Sequence, residues 1–183
     1  SSIEREVESI IVLEASLINN EYLKKIDSGF YQMETYQQFN SMNLFRDKLI
    51  EIKSMTRYIQ GITVFFPRAF KKISDTNILD MDMQEYDKIK SIFLTNTFPF
   101  TMQGDDIYIN MTPDIYKPEI ATGGERPVII SVKIQRGKLA DSLREFMENS
   151  RGGAFLISNK DGITVNDSSD KEIFLELEKY FNG

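Results

Sequence analysis

Gln60-Gly61-Ile62-Thr63-Val64-Phe65-Phe66-Pro67 is where the chain changes period. Before it, apolar residues recur every three to four positions, the spacing of a helix face. Within it, β-branched and aromatic residues run on from a glycine and stop at a proline, which reads as a strand. Working back, Ile3, Val7, Ile10, Ile11, Leu17, Ile18 and Leu23 predict one amphipathic helix over 3–26, with Glu4, Glu8, Glu14 and Glu21 between the apolar positions. Asp27-Ser28-Gly29 interrupts that pattern. A second helix is predicted from about Thr35, carrying Phe39, Met42, Phe45, Leu49, Ile52 and Ile59.

Working forward, Phe70 to Ser74 is a candidate return strand. Met83 to Leu94 is a shorter helix with Tyr86, Ile89, Ile92 and Phe93 at helical intervals, after an acidic first turn around Asp80 and Asp82. Residues 95–127 collect Pro99, Pro113, Pro118, Pro127, Gly104, Gly123 and Gly124, so this region reads as loop, broken by a strand from Asp106 to Met111. Val128 to Gln135 is a long strand, followed by a helix from about Lys138 to Asn149 that ends at Gly152-Gly153. Ala154 to Ser158 and Gly162 to Asn166 form a hairpin turned by Asn159-Lys160-Asp161-Gly162, and a helix from Lys171 to Phe181 follows. Helices, then a mostly antiparallel sheet with further short helices, make an α+β class.

Composition narrows the chemistry. The 183 residues are 41% apolar and 27% charged, enough for one sizeable core, and the net charge of −6 supplies no basic field for nucleic acid. With no His and no Cys, imidazole proton shuttles, thiol nucleophiles, disulfides and the common zinc sites are excluded. No apolar run approaches the roughly 18 residues of a membrane span, and Ser1-Ser2-Ile3-Glu4 is no signal peptide, so the chain reads as soluble. It begins within one helix and stops just after another, as an excised part of a longer protein would.

Motifs that imitate catalysis have ordinary readings. Asn159 to Gly162 alternates like a calcium loop, but a loop with Gly162 sixth would start at Ile157 and end at Ser168, neither a carboxylate. Gly123-Gly124 lacks the Lys-Ser/Thr of a phosphate loop. The acids Asp80 and Asp82, and Asp105-Asp106, have the types a glycosidase needs, though neighbouring acids are usually solvated. Asn110-Met111-Thr112 and Asn166-Asp167-Ser168 match the glycosylation tripeptide, a pattern frequent by chance.

A small-molecule pocket has better support. In Val128 to Gln135, alternation puts Val128, Ile130, Val132 and Ile134 on one face and Ile129, Ser131, Lys133 and Gln135 on the other. The second, mixed row suits solvent exposure, its commoner fate, or a ligand cavity. Tyr86, Phe98, Phe100, Tyr108 and Tyr116 cluster around the loop-rich segment, where ligands could stack, or where they simply pack under long loops.

Three passages carry a family resemblance: Gln60 to Phe66 leaving the long helix, Val128 to Gln135 followed by Leu139 to Phe146, and Gly153 to Ile163 with its Asp-Gly turn. Together with the order of elements, the chain resembles the extracellular Cache domain, a PAS-like sensor module. That resemblance implies a PAS-like central antiparallel sheet with a long N-terminal helix and short flanking helices. Residues 1–60 would be a helical stalk of the same domain, and 61–183 the sensor sheet with its C-terminal helix.

It also implies an extracellular ligand-sensing domain of a bacterial membrane receptor. A two-component sensor histidine kinase of Gram-positive type, often coupled to carbohydrate-related responses, is the first candidate and a chemoreceptor the second. A kinase module would lie outside this chain, which itself performs no chemistry and holds no metal or cofactor. A homodimer through the N-terminal helices is a further implication. The chain has no Trp, so the Arg and Trp-Tyr signature of amino-acid-binding members is absent.

The expected contacts to a small polar ligand are Tyr86, Tyr108, Asn110, Arg126, Ser131 and Lys133, chosen for stacking or hydrogen-bonding groups near the proposed cavity. Two other readings remain, a carboxylate-based glycan hydrolase and a protein-interaction domain without a small ligand.

Overall fold

The computed structural model describes residues 2–95, 100–103, 106–113, 126–135 and 137–138. The hairpin expected around Asp161-Gly162, the helix expected beyond Lys138, Gly123-Gly124 and the expected terminal helix fall on residues outside them.

The predicted first helix is two helices, α1 (Ser2–Ile18) and α2 (Glu21–Gly29). The break comes from Asn20, whose side-chain oxygen accepts from the backbone N–H of Tyr22 (2.9 Å) and Leu23 (3.2 Å) and so starts a new helix. A single 3-10 turn (Phe30–Gln32) leads to α3 (Thr35–Ser54). Glu34 caps α3 in a capping box, its own N–H donating to the Gln37 side chain at 3.0 Å.

Strands β1 (Ile59–Phe66) and β2 (Lys71–Ser74) follow, then β3 (Ile78–Asp80), α4 (Met83–Thr95), β4 (Phe100–Gln103), β5 (Asp106–Met111) and β6 (Ile129–Ile134). Three sequence expectations are corrected here. Ile59 belongs to β1 rather than to α3, Asp80 lies in β3 opposite Lys71 rather than in the acidic turn that opens a helix, and the loop-rich region contains β4. Asp82 does serve α4 as expected, accepting from the Gln84 N–H at 2.9 Å. In the link between β1 and β2, Phe70 takes a left-handed φ of 52°, a conformation that favours glycine.

The six strands form one antiparallel sheet in the order β3-β2-β1-β6-β5-β4. The fold class is therefore α+β with a central antiparallel sheet, as the period change predicts. β6 is inserted between β1 and β5, with Val64 opposite Ile130 and Ile109 opposite Val132. A register irregularity between Ile59 and Gly61 marks the start of β1.

Gly61 has a specific reason to be glycine. A Cβ there would meet Asp75 Oδ1 at 3.3 Å. That carboxylate accepts from the Ile62 N–H at 2.9 Å and pairs with Lys53 of α3 at 2.7 Å, so one acid with a largely covered side chain fastens the end of α3 to the start of β1.

Alternation sorts the side chains onto two faces. Ile62, Val64, Phe66, Ile130, Val132 and Ile134 pack against the buried stripes of α1, α2 and α3, and Phe45 of α3 meets Phe66 edge-on, with ring centroids 5.3 Å apart. Phe65 and Ile129 point the other way and are covered by Met81 and by Tyr86 and Ile89 of α4. The sheet thus has the three N-terminal helices on one side and α4 on the other.

Glu14 departs from the expected pattern. It lies one turn from Ile10 and one turn from Leu17, so it joins their inward stripe and is 1% exposed, while Val12 faces out. Neither carboxyl oxygen has a hydrogen-bond partner among the described residues, and burial holds the group well above the ordinary carboxylate range.

Candidate functional site

Opposed residues in an antiparallel pair share a face, so register decides which polar side chains meet. Thr63, Ser131 and Asn110 are aligned across β1, β6 and β5. The next row holds Gly61, Lys133, Tyr108 and Thr101, running on to β4. Both rows lie on the α4 face, because Ile129, two residues before Ser131, belongs to the cluster under α4.

Ser131, Asn110 and Thr101 are buried. Of the two fates open to the mixed face of β6, the common one, solvent exposure, does not hold at Ile129 and Ser131. The Asn110 amide Nδ2 donates to Thr101 Oγ1 at 2.8 Å. Its Oδ1 is buried with no hydrogen-bond partner among the described residues, although the residue is only 5% exposed. Leaving such a group unpaired costs about 1–3 kcal/mol.

Toward the open end of the same face, Lys133 Nζ binds Asp106 Oδ2 at 2.7 Å and stands 6.0 Å from the centre of the Tyr108 ring. The hydrogen bond to Asp106 raises the Lys133 ammonium from its ordinary range. Partial burial raises the Tyr108 phenol. Both groups keep their protons at neutral pH, one as a cation and the other as a neutral phenol.

Four expected contacts, Tyr108, Asn110, Ser131 and Lys133, are therefore neighbours. The other two stand apart. Tyr86 is wholly buried beside Phe65, and its hydroxyl donates to the Pro127 carbonyl at 2.6 Å, tying α4 to the approach of β6. Arg126 is exposed immediately before that proline. Tyr86→Phe is expected to lower the unfolding free energy by about 1–3 kcal/mol, because it strands a buried carbonyl. Thermal unfolding would register a fall of roughly 2–4 °C per kcal/mol, with Tyr108→Phe as the neutral comparison.

The residues that sequence reasoning missed are Thr63, Thr101 and Asp106. Thr63 and Asp106 sit on strands that the sequence made legible, whereas Thr101 lies on β4, in the region read as loop, and only the pairing register brings them beside Ser131 and Lys133.

Other candidate chemistry disperses. Asp80 pairs with Lys71 and Asp82 caps α4, so these acids serve separate purposes. Asn110 and Thr112 of the first glycosylation tripeptide are buried. Among the described residues no group of three or more acids could hold a metal ion, and no helix is long and apolar enough to cross a membrane.

A concavity of about 340 Å³ lies between α2 and α3, lined by Tyr22, Lys25, Met33, Tyr36, Gln37 and Asn40 among others. It is a surface groove whose Gln37 amide is already engaged in the cap of α3. Comparison with protein-family models, curated proteins and solved structures gives no match for this chain.

Proposed function

We propose that this chain is a ligand-sensing domain of the PAS-like Cache type, belonging to the extracellular part of a bacterial membrane receptor, of which a two-component histidine kinase is the first candidate. The ligand is a small polar molecule bound on the α4 face of the sheet, at Asn110 and Ser131 with Tyr108 and Lys133 beside them. One observation carries this reading: half-buried Thr63 and buried Ser131 and Asn110 are aligned in register across three strands, and the row ends on an amide with one atom unpaired among the described residues.

Burying unpaired polarity is costly, and it persists where a partner is supplied on binding. Because β6 pairs with β1, whose other face packs on the N-terminal helices, occupation of the row bears on the strands that support those helices. Such a ligand shifts helix position only by its difference in affinity for the two arrangements. Of the acids named for the hydrolase alternative, Asp80 and Asp82 serve separate duties, Asp106 is bound by Lys133, and Asp105 lies outside the described residues.

Thermal unfolding with a panel of sugars, carboxylates and amines tests the reading. A ligand at about 100 times its Kd stabilises by roughly 2.7 kcal/mol, a rise of about 5–10 °C for a chain of this size. The expected result is a saturable rise that Asn110→Leu and Lys133→Ala weaken and that involves no turnover. A rise untouched by both substitutions would place the ligand elsewhere.

A further inference from the structure

Resting on that reading of the polar row, we infer that its ligand is an uncharged molecule bearing hydroxyl groups, and that the Lys133–Asp106 pair turns anions away. The argument is one of unmet and already met bonding. Two cations stand on this face of the described strands, and each is matched. Lys133 is held by Asp106 at 2.7 Å, and Lys72, which lies near Phe65, is held by both oxygens of Glu85 at 2.7 and 2.8 Å.

A carboxylate or phosphate entering the row would find both of these cations already engaged by acids and would stand beside buried Ser131 and Asn110, where an unneutralised charge is costly. An ammonium ligand meets the same obstacle, because Asp106 and Glu85 are both engaged.

What the row offers instead is neutral. Thr63, Ser131 and Thr101 are hydroxyls, and Asn110 presents an amide with one atom bonded to Thr101 and the other unpaired. A hydroxyl both donates and accepts, so it completes that amide in either of its two orientations. A site built to bond a hydroxyl also rejects the analogue that lacks it, because its own buried group is then left unpaired.

The test uses the whole chain, with thermal unfolding at constant ionic strength in the presence of xylose, galactose, ribitol or myo-inositol, and in parallel succinate, citrate or inorganic phosphate. The expected result is a saturable rise with at least one of the neutral compounds and none with the anions. The apparent affinity should fall by about tenfold or more in Asn110→Leu. Ser131→Ala, a smaller truncation, gives the same comparison should the leucine variant fail to fold.

Asp106→Asn, which releases Lys133, is expected to gain a response to the anions that the unaltered chain lacks. A rise with an anion that Asn110→Leu abolishes overturns the ligand class while leaving the ligand site in place. No rise with any compound, or a rise indifferent to both Asn110→Leu and Ser131→Ala, overturns the inference together with the reading on which it stands.

Discussion

Phe66→Ala is expected to lower the unfolding free energy by about 3–5 kcal/mol, the usual cost of emptying a fully buried aromatic position. Phe66 is wholly buried where β1 meets α3, and its ring lies 5.3 Å from that of Phe45 at an interplanar angle of 80°. The loss has two parts, the transfer of the ring and the cavity left between a strand and a helix that cannot both close in. Phe45→Ala should cost a similar amount.

The double variant should fall short of the sum, because the pair's own attraction of about 0.5–1.5 kcal/mol is lost only once. Urea unfolding of the four proteins checks this. A loss below about 1 kcal/mol for either single variant would mean that the helices do not bear on the sheet through this contact.

Glu14→Leu is expected to act in the opposite direction, stabilising the chain by about 1–3 kcal/mol at neutral pH, since it removes a buried carboxyl whose oxygens find no partner. Glu14→Gln isolates the protonic part. Because burial raises the folded-state pKa, the folded chain retains a proton that the unfolded chain releases above about pH 4.3. Stability contributed by the protonated group is therefore complete below that pH and is lost as pH rises toward the folded pKa, by about 1.4 kcal/mol per unit within the window.

The Gln variant lacks this slope. Its advantage over the parent should be small near pH 4 and largest in the alkaline arm of the window. Paired urea titrations across pH would show it, and parallel pH profiles for parent and variant would contradict the buried position of Glu14.

The elements whose signal is local could be read from the sequence. The turn from helical to alternating spacing at Gly61 located β1, and Asp106 to Met111 and Val128 to Gln135 were legible from β-branched residues between turns. The break at Asn20 was missed because apolar spacing continues across it, and only the cap's hydrogen bonds distinguish a new helix from an uninterrupted one. Glu14 was placed with its fellow glutamates although its phase matches Ile10 and Leu17, since charge type outweighed position.

For the site, Ser131, Lys133, Tyr108 and Asn110 could be nominated from strand alternation. That Asn110 would face Ser131, and Lys133 would find Asp106, depends on register between strands far apart in the chain, which no local pattern encodes.

The place of β6 in the sheet has a consequence for how the molecule is assembled. Strands β1 to β3 and strands β4 and β5 are each joined by short local connections, whereas β6 binds one group to the other from some seventy residues downstream of β1. Until it docks, two half-sheets present bare margins of unpaired amides, the templates on which nascent chains stick to one another. The strand that completes the α4 face is thus also the piece that joins the two half-sheets, and a substitution that weakens its docking is expected to lower folding yield.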